Sequence, residues 1–502
     1  MQSTALVRRR LLDRNGLQRA GKGRGKYLLH QKFMRFTTPS IIIGLIAVLS
    51  GLAASVVSLS AVVGVAYVPL LFFSITTAHS KRAFWYGFLF GCVHFFLSFI
   101  WLYNALPLSW LIPNYTLAFA TIFVITVVLA CGGGLVLGIV TVSARFLWRL
   151  FQQQWLRIIV FVAGSGLLFA LAEYVRPWLY SFIFQGQQPI EPFLTFGSPA
   201  YLVASFAGLS QFARYGDIYA LSFLIGVTSA IVAIIYIMKR QWFLKVLIGY
   251  IGILFFVNYA LVPSPYVQSG IPVRVVGVGL NEPVLHDKNL AATETLSDIN
   301  IENAFVIFPE STGKGVLEKL NGKQSGEIYS SLRSDGDKKY STAYVVSGTH
   351  IATIDKHILA IGGEYIPSIV GGVYSWVSPS VKKRAVTINN LAAGSEGTVV
   401  ETPLGPAGVL FCNEIYTPVL VSNLSNKGAK TIIVLASHAW FSNAKTLERQ
   451  TKAALQLRAI ANNIPIIQVT NMGNSYAIGP QGQVLVERKP SETMDIVWNQ
   501  GG

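Results

Sequence analysis

Three expected strand ends in the C-terminal half of this 502-residue chain each carry a residue able to do chemistry. Glu310 follows Val306-Ile307-Phe308-Pro309, Lys356 lies in Asp355-Lys356-His357, and Cys412 closes Val409-Leu410-Phe411 ahead of Asn413-Glu414. A carboxylate, an amine and a thiol at successive strand ends make a nucleophilic site. Cys412 would attack a carbonyl carbon while Glu310 takes the thiol proton as general base. Lys356 would lower the thiol pKa and stabilise the oxyanion beside backbone N–H groups. Glu364, in the Gly-flanked stretch Gly362-Gly363-Glu364-Tyr365-Ile366-Pro367, would position Lys356 or share protons. On spacing alone a second reading stays open, because a single Cys after an apolar run is also the pattern of a buried core thiol. The other two cysteines, Cys92 and Cys131, lie in apolar stretches, and three scattered Cys build neither a disulfide framework nor a zinc site.

The elements that must carry these residues are legible as short β-rich runs broken by Gly, Pro, Asn and charged residues. Strands are expected at 273–278, 304–308, 343–347, 408–412, 431–436 and 465–470, with a hairpin around Pro480-Gln481-Gly482. Residues 446–463 read as a helix with Leu447, Ala454, Leu457 and Ala461 on one face. Strands alternating with helices predict an α/β domain over 264–502.

The rest of the chain is a different material. Apolar residues make up 52% of the sequence and charged residues only 13%, where a soluble domain carries about a quarter charged residues. Apolar stretches long enough for a bilayer core lie near 38–56, 60–77, 84–105, 116–143, 157–176, 217–238 and 246–263, which defines a membrane domain of about seven helices over 37–263. Ahead of it, residues 1–36 hold ten Lys and Arg against Asp13 alone, more than half of the net charge of +17. This tail reads as a cytoplasmic flank that touches anionic lipid, and no nucleic-acid partner is expected. Lys81 and Arg82, Arg145 and Arg149, and Lys239, Arg240 and Lys245 fall in alternate loops, while the intervening loops hold only Arg214. The positive-inside rule then puts the N-terminus in the cytoplasm and everything after about residue 264 outside. Glu173 and Arg176, three apart near an outer helix end, are expected to pair. The aromatic, uncharged loop 177–216 is expected at the outer headgroups, as one wall of a lipid-facing site or as plain packing.

Phe308-Pro309-Glu310, Lys356 with Gly363-Glu364-Tyr365-Ile366-Pro367, and Cys412-Asn413-Glu414 together resemble the Glu–Lys–Cys triad of the carbon–nitrogen hydrolase (nitrilase) superfamily. Joined to the membrane segments and to Ala439-Trp440-Phe441, Leu457-Arg458-Ala459 and Thr470-Asn471-Met472-Gly473-Asn474-Ser475, the chain resembles the apolipoprotein N-acyltransferase branch. The resemblance implies a multi-span helical membrane bundle carrying an αββα sandwich, in a bacterial inner membrane with the catalytic domain in the periplasm. It implies ping-pong transfer without a cofactor or metal. Cys412 would take a fatty acyl chain from a phospholipid as a thioester, and the α-amino group of a lipoprotein's diacylglyceryl-cysteine would accept it. Catalysis would rest on Glu310, Lys356 and Cys412, with Glu364 and Glu414 supporting and Tyr365, Asn413, Trp440 and His438 at the substrate. His438 also reads as a packing residue beside the site.

Several positions depart from that branch. Ser437-His438 stand for its usual Asn-Asp, Ala461 for a Glu, Ile361-Gly362 for Pro-Phe, and Asn413 for the Tyr after the nucleophile. Residues 281–303 are short for the branch, and its final span is missing. A paralogue with another amine acceptor, for example one serving a conjugation or secretion system, fits these departures. A membrane-bound nitrilase-type amidase and a non-catalytic membrane scaffold are the remaining rivals. A transporter would need midplane charge pairs and an internal repeat, and neither is present.

Overall fold

The computed structural model describes residues 43, 45–50, 66–109, 111–186, 188–238, 243–266, 270–280, 299–313, 324–388, 390–441 and 444–499. The basic tail, most of the expected span 38–56, the first part of 60–77 and residues 281–298 lie outside them. The N-terminal half is helical: α1 (Val68–Thr76), α2 (Ser80–Ser98), α3 (Tyr115–Leu150), α4 (Gln154–Ile183), α5 (Asp217–Met238) and α6 (Phe243–Ala260). Among the described residues four helices are long and apolar enough to cross a bilayer: Ser80–Ala105, Tyr115–Leu150, Gln154–Ile183 and Asp217–Met238. They coincide with four of the expected stretches. The expected stretch 246–263 falls on α6, whose apolar part, Ile248–Ala260, is shorter than a full crossing.

Sequence explains the bundle locally. Gly133, Gly134 and Gly138 let α3 meet α2 at backbone distance, since a Cβ on Gly134 would stand 2.7 Å from the Phe88 carbonyl oxygen. Phe119, Phe123, Ile139, Leu167, Leu171 and Phe182 point outward and are exposed, as lipid-facing side chains must be. Glu173 and Arg176 do pair, at 3.0 Å. The pair is buried inside α4 rather than at a helix end, because α4 continues through Pro177 to Ile183. The Arg176 guanidinium also donates to the Phe196 carbonyl at 2.8 Å, fixing the loop that follows.

The C-terminal half holds two six-stranded sheets, ordered β12-β1-β2-β3-β4-β5 and β11-β10-β9-β8-β7-β6. The strands are β1 (Pro272–Gly277), β2 (Ala304–Ile307), β3 (Gly326–Asp335), β4 (Lys338–Ser347), β5 (His350–Asp355), β6 (Val399–Thr402), β7 (Gly405–Phe411), β8 (Thr431–Ser437), β9 (Ile466–Asn471), β10 (Ser475–Ile478), β11 (Val484–Arg488) and β12 (Met494–Asn499). β1, β2 and β3 run parallel, as do β7, β8 and β9. Val275, Phe305, Ile328, Val409, Ile433 and Val469 fill the space between the sheets. The helices of this half are α7 (Ser368–Val377), α8 (Pro379–Ile388), α9 (Pro418–Asn426) and α10 (Lys445–Asn462). The architecture is a helical membrane bundle joined to a nitrilase-like α/β sandwich.

The two halves share one hydrophobic core. Leu447, Ala454 and Leu457 of α10, with Ile415 and Tyr416, belong to the same buried cluster as Phe95, Phe99, Tyr180 and Phe196 of the bundle. At the centre of the junction the fully buried Arg458 of α10 pairs with Asp217 at the start of α5 and donates to the Ile415 carbonyl at 3.2 Å. Removing one member of a buried pair leaves the other charge uncompensated. Arg458→Met is therefore expected to cost about 3–5 kcal/mol, and adding Asp217→Asn should restore part of it. Thermal unfolding of the detergent-solubilised variants reads this directly; equal losses in single and double variants would show the pair to be uncoupled.

Candidate active site

Parallel strands deliver the key residues to one end of the sandwich. β2 ends at Ile307, and Glu310 three residues on donates its backbone N–H to the Ala436 carbonyl near the end of β8 (3.3 Å). Lys356 follows β5 directly. Cys412 follows β7 and opens a 3-10 turn, Cys412–Tyr416, with a backbone φ of +31°. That value lies in the left-handed region a side chain avoids, and such strain marks positions held for a purpose.

Lys356 is buried, and its Nζ donates to Glu310 Oε1 at 2.9 Å and to Glu364 Oε1 at 3.0 Å. Glu364 is held in turn by the Ala360 N–H on its Oε2, 2.6 Å away. The Cys412 thiol donates to the Ser437 carbonyl at 3.7 Å. Behind the turn Glu414 accepts three backbone N–H groups: Phe411 at 2.7 Å, His357 at 2.7 Å and Ile358 at 2.9 Å. Glu414 thus ties the end of β7 to the residues after Lys356. Asn413 reinforces this by donating to the Ile358 carbonyl at 3.2 Å.

Glu310, Lys356, Glu364, Cys412 and Trp440 line a common cavity of about 220 Å³. One wall is apolar and comes from the membrane half: Leu102, Ala105, Leu108, Leu111, Ile122 and Ile125. Another wall carries the hydroxyl residues Ser311, Ser330, Ser331 and Ser341. Sequence reasoning pointed to neither wall, because the residues come from separate strands and helices.

The remaining expected residues sit around this cavity rather than in its lining. Tyr365 is buried and anchors the catalytic half to the bundle, its hydroxyl donating to the Phe184 carbonyl (2.7 Å) and accepting from Gln188 Nε2 (3.0 Å). Asn413 and Glu414 lie behind Cys412. His438 is buried, with Nδ1 2.8 Å from Glu448 Oε1 and its backbone N–H on the Asn471 carbonyl, so its packing reading fits its surroundings. The loop 177–216 proves to be a clamp: Glu191 Oε1 lies 2.8 Å from His357 Nε2, and Gln188 accepts the Leu359 N–H at 2.8 Å. The Glu191 contact is the main cause that lifts His357 to about 9, keeping the imidazole protonated at neutral pH.

Burial dominates the electrostatics of the site. Burial pushes the Cys412 thiol up to about 12, Glu310 adds to the rise, and Lys356 opposes it without winning. Burial thus favours the neutral thiol of Cys412. Burial also lifts Glu310, to about 7, against the pull of Lys356. Burial works against the charge of Lys356, but Glu310 and then Glu364 outweigh it and hold the amine above its ordinary value. A base must be deprotonated to act, so kcat/KM for loss of the Cys412 proton should rise about tenfold per pH unit below about 7 and level off above it. A profile already flat at pH 5 would remove Glu310 from the role of base.

A profile for the apolipoprotein N-acyltransferase N-terminal domain matches residues 46–231, and one for carbon-nitrogen hydrolase matches residues 325–498. Over 453 residues the chain is 25% identical to the apolipoprotein N-acyltransferase of Allorhizobium ampelinum, covering 81% of this chain and 77% of that one. Over 470 residues it is 25% identical to the enzyme of that name from Gloeobacter violaceus, covering 86% and 82%. Over most of its length the chain is similar to apolipoprotein N-acyltransferases. A solved structure of a branch 10 nitrilase-superfamily member from Saccharomyces cerevisiae aligns with 47% of the chain and 93% of its own, at 17% identity and a TM-score of 0.35. The Glu448 carboxylate that holds His438 also accepts the Asn474 N–H at 3.2 Å, so the Ser437-His438 pair is built into the loops around the site.

Proposed function

We propose that this protein is an N-acyltransferase that moves a fatty acyl chain from a phospholipid, through a thioester on Cys412, to the α-amino group of a lipoprotein's N-terminal diacylglyceryl-cysteine. The observation that carries the reading is the Lys356 ammonium bridging Glu310 and Glu364 beside Cys412, in a cavity whose far wall is apolar and belongs to the membrane half. A soluble hydrolase has no use for such a wall; a lipid-borne ester does.

In the first half-reaction Glu310 takes the thiol proton as Cys412 Sγ attacks the ester carbonyl. Lys356 faces the charge that develops on the carbonyl oxygen. The tetrahedral adduct collapses, the glycerol oxygen leaves with the proton from Glu310, and lysophospholipid departs. In the second, the acceptor amine attacks the thioester carbonyl and gives a proton to Glu310, and Cys412 leaves as thiolate and is reprotonated. Glu364 orients Lys356, and Glu414 holds the nucleophile turn. Trp440, on the cavity wall, meets the acyl chain.

The distribution of basic residues supports a bacterial inner-membrane location, with residues 1–36 in the cytoplasm, 37–263 as the membrane domain and 264–502 as the catalytic domain on the periplasmic side. Peptide mass spectrometry after incubation with labelled phospholipid tests the reading. A hydroxylamine-labile fatty-acyl adduct on the Cys412 peptide is expected. Its absence, where a relative is loaded under the same conditions, would favour the amidase or scaffold reading instead.

A further inference from the structure

His357 stands where the two halves of the molecule meet, immediately after Lys356. Its Nδ1 lies 2.9 Å from the Gly394 carbonyl oxygen, and its Nε2 lies 2.8 Å from Glu191 Oε1. A carbonyl and a carboxylate both accept, so both ring nitrogens must donate, which requires the imidazolium. The His357 side chain is 10% exposed and that of Glu191 28%, so water competes little for the contact. The other charged groups around the ring are Glu414 of the nucleophile turn, Glu396 of the loop before β6, and Asp355 and Lys356 on its own segment. Each is answered elsewhere. Three backbone N–H groups hold Glu414, and Asn423 and Lys427 hold Glu396. Arg333 and Thr342 hold Asp355, and Lys356 is directed at Glu310 and Glu364. Among the described residues Glu191 is the carboxylate that remains for the ring.

Both ends of this bridge are anchored. The Glu191 backbone N–H donates at 3.1 Å to Ser181 Oγ, on the bilayer-length helix α4. At the other end the Gly394 N–H donates to the Lys356 carbonyl at 2.8 Å, and the Leu391 N–H donates to the Glu364 carbonyl at 3.1 Å. The loop 391–394 thus brackets the backbone of two residues whose side chains meet at the Lys356 Nζ. Gly394 fits there because it lacks a side chain: a Cβ would stand 2.5 Å from the Asp355 Cβ. Gln188 holds the same segment through Leu359 and Tyr365, but by uncharged contacts.

We propose that Glu191 and His357 are positioning residues that set the Lys356–Glu364 arm from the membrane half, so that Cys412 is fully reactive only while this ion pair holds. Neither side chain lines the Cys412 cavity. They act through Gly394 and the backbone of Lys356. Loss of the ring proton turns a lone pair toward one of the two acceptors and releases one end of the bridge. The Glu191 hydrogen bond raises His357 to about 9; burial opposes the rise and the Gly394 contact adds to it. With the value raised, the bridge is complete below the ordinary imidazole range and is lost as pH rises through about 9. Cys412 is pushed up to about 12 and Lys356 is held above its ordinary value, so neither supplies a titration near 9. Release lets Lys356 shift, and a misplacement of about 1 Å costs up to about 10²-fold in rate.

The inference rests on the acyl-transfer reading for one of its two measurements. Full-length wild type is compared with Glu191→Gln, His357→Arg and His357→Gln. The first measurement is the initial rate of acyl-adduct formation on Cys412 from labelled phospholipid, without acceptor, so that no acceptor amine titrates. Wild type should hold its rate from about pH 7 to about 9 and lose it above. Glu191→Gln returns His357 toward its ordinary value, so the falling limb should move about two pH units lower. His357→Arg keeps a cation with donors for both acceptors. Its rate should not fall above about pH 9, and near pH 7.5 it should exceed that of His357→Gln about tenfold, the weight of one charge-assisted hydrogen bond. A falling limb unmoved in Glu191→Gln, or equal rates for the Arg and Gln variants, would overturn the proposal. The second measurement needs no chemistry at the thiol. Backbone hydrogen exchange of the peptide 357–365 near pH 7.5 should be about tenfold faster in Glu191→Gln than in wild type, at a matched melting temperature. Unchanged exchange would also overturn the proposal. Faster exchange together with a wild type that never loads would support the positioning role and remove the acyl-transfer reading instead.

Discussion

Cys412→Ala is expected to lower acyl transfer by about 10⁶-fold, the scale on which removing a covalent nucleophile disables a catalytic unit. Among the described residues no other thiol lines the cavity. Ser311, Ser330, Ser331 and Ser341 offer hydroxyls on the cavity wall, but an unactivated serine hydroxyl is a far weaker nucleophile than a thiol. The same substitution should hardly disturb the fold. Ala tolerates the positive φ no worse than Cys, and the lost sulfur leaves a gap open to the cavity rather than sealed in the core. A variant with a wild-type melting temperature, no acyl adduct and no transfer is the expected result. Retained transfer would move the nucleophile elsewhere.

Lys356→Met is expected to damage both activity and stability. Methionine fills a similar volume but leaves the Glu310 and Glu364 carboxylates facing each other without the cation between them. Breaking such a buried arrangement costs about 3–5 kcal/mol, and losing a charge aimed at the oxyanion costs about 10²–10³-fold in kcat. The pH dependence separates this from a simple loss of fold. Lys356 holds Glu310 down, so without it the base titrates higher and the rising limb of any residual activity moves to more alkaline pH. A limb that stays near 7 would mean that Lys356 does not touch the base electrostatically. The measurement is kcat/KM across pH for the variant beside wild type.

The parts of the fold legible in the sequence are those where local pattern and buried surface agree. β1, β2, β7, β8 and β9 are apolar runs bounded by turn residues, and α10 carries its apolar face at helical spacing. β3 is not legible, because its apolar run stops at Ile328-Tyr329 and continues through Ser330 and Ser331, which line the cavity. β12 pairs with β1 across more than two hundred residues, and no local signal carries such a partnership. Among the site residues, Glu310, Lys356, Glu364 and Cys412 stand out by type and spacing. Glu191 with His357, and Asp217 with Arg458, do not, since each pair is assembled only when the two halves dock. The high pKa of the thiol is not legible for a related reason. A nearby lysine is written in the sequence, whereas the depth of burial that outweighs it is a property of the packed molecule.

The hydrophobic core common to the bundle and the sandwich means that Cys412 cannot bob. A donor ester floats at a depth fixed by the thickness of the leaflet around it, and the sulfur is bolted to helices whose own seating answers to the same thickness. Lipids of the wrong chain length would therefore put the ester and the nucleophile on different floors. On the proposed acyl transfer the protein would act as a gauge of its bilayer, and its choice among donors would be partly a matter of altitude.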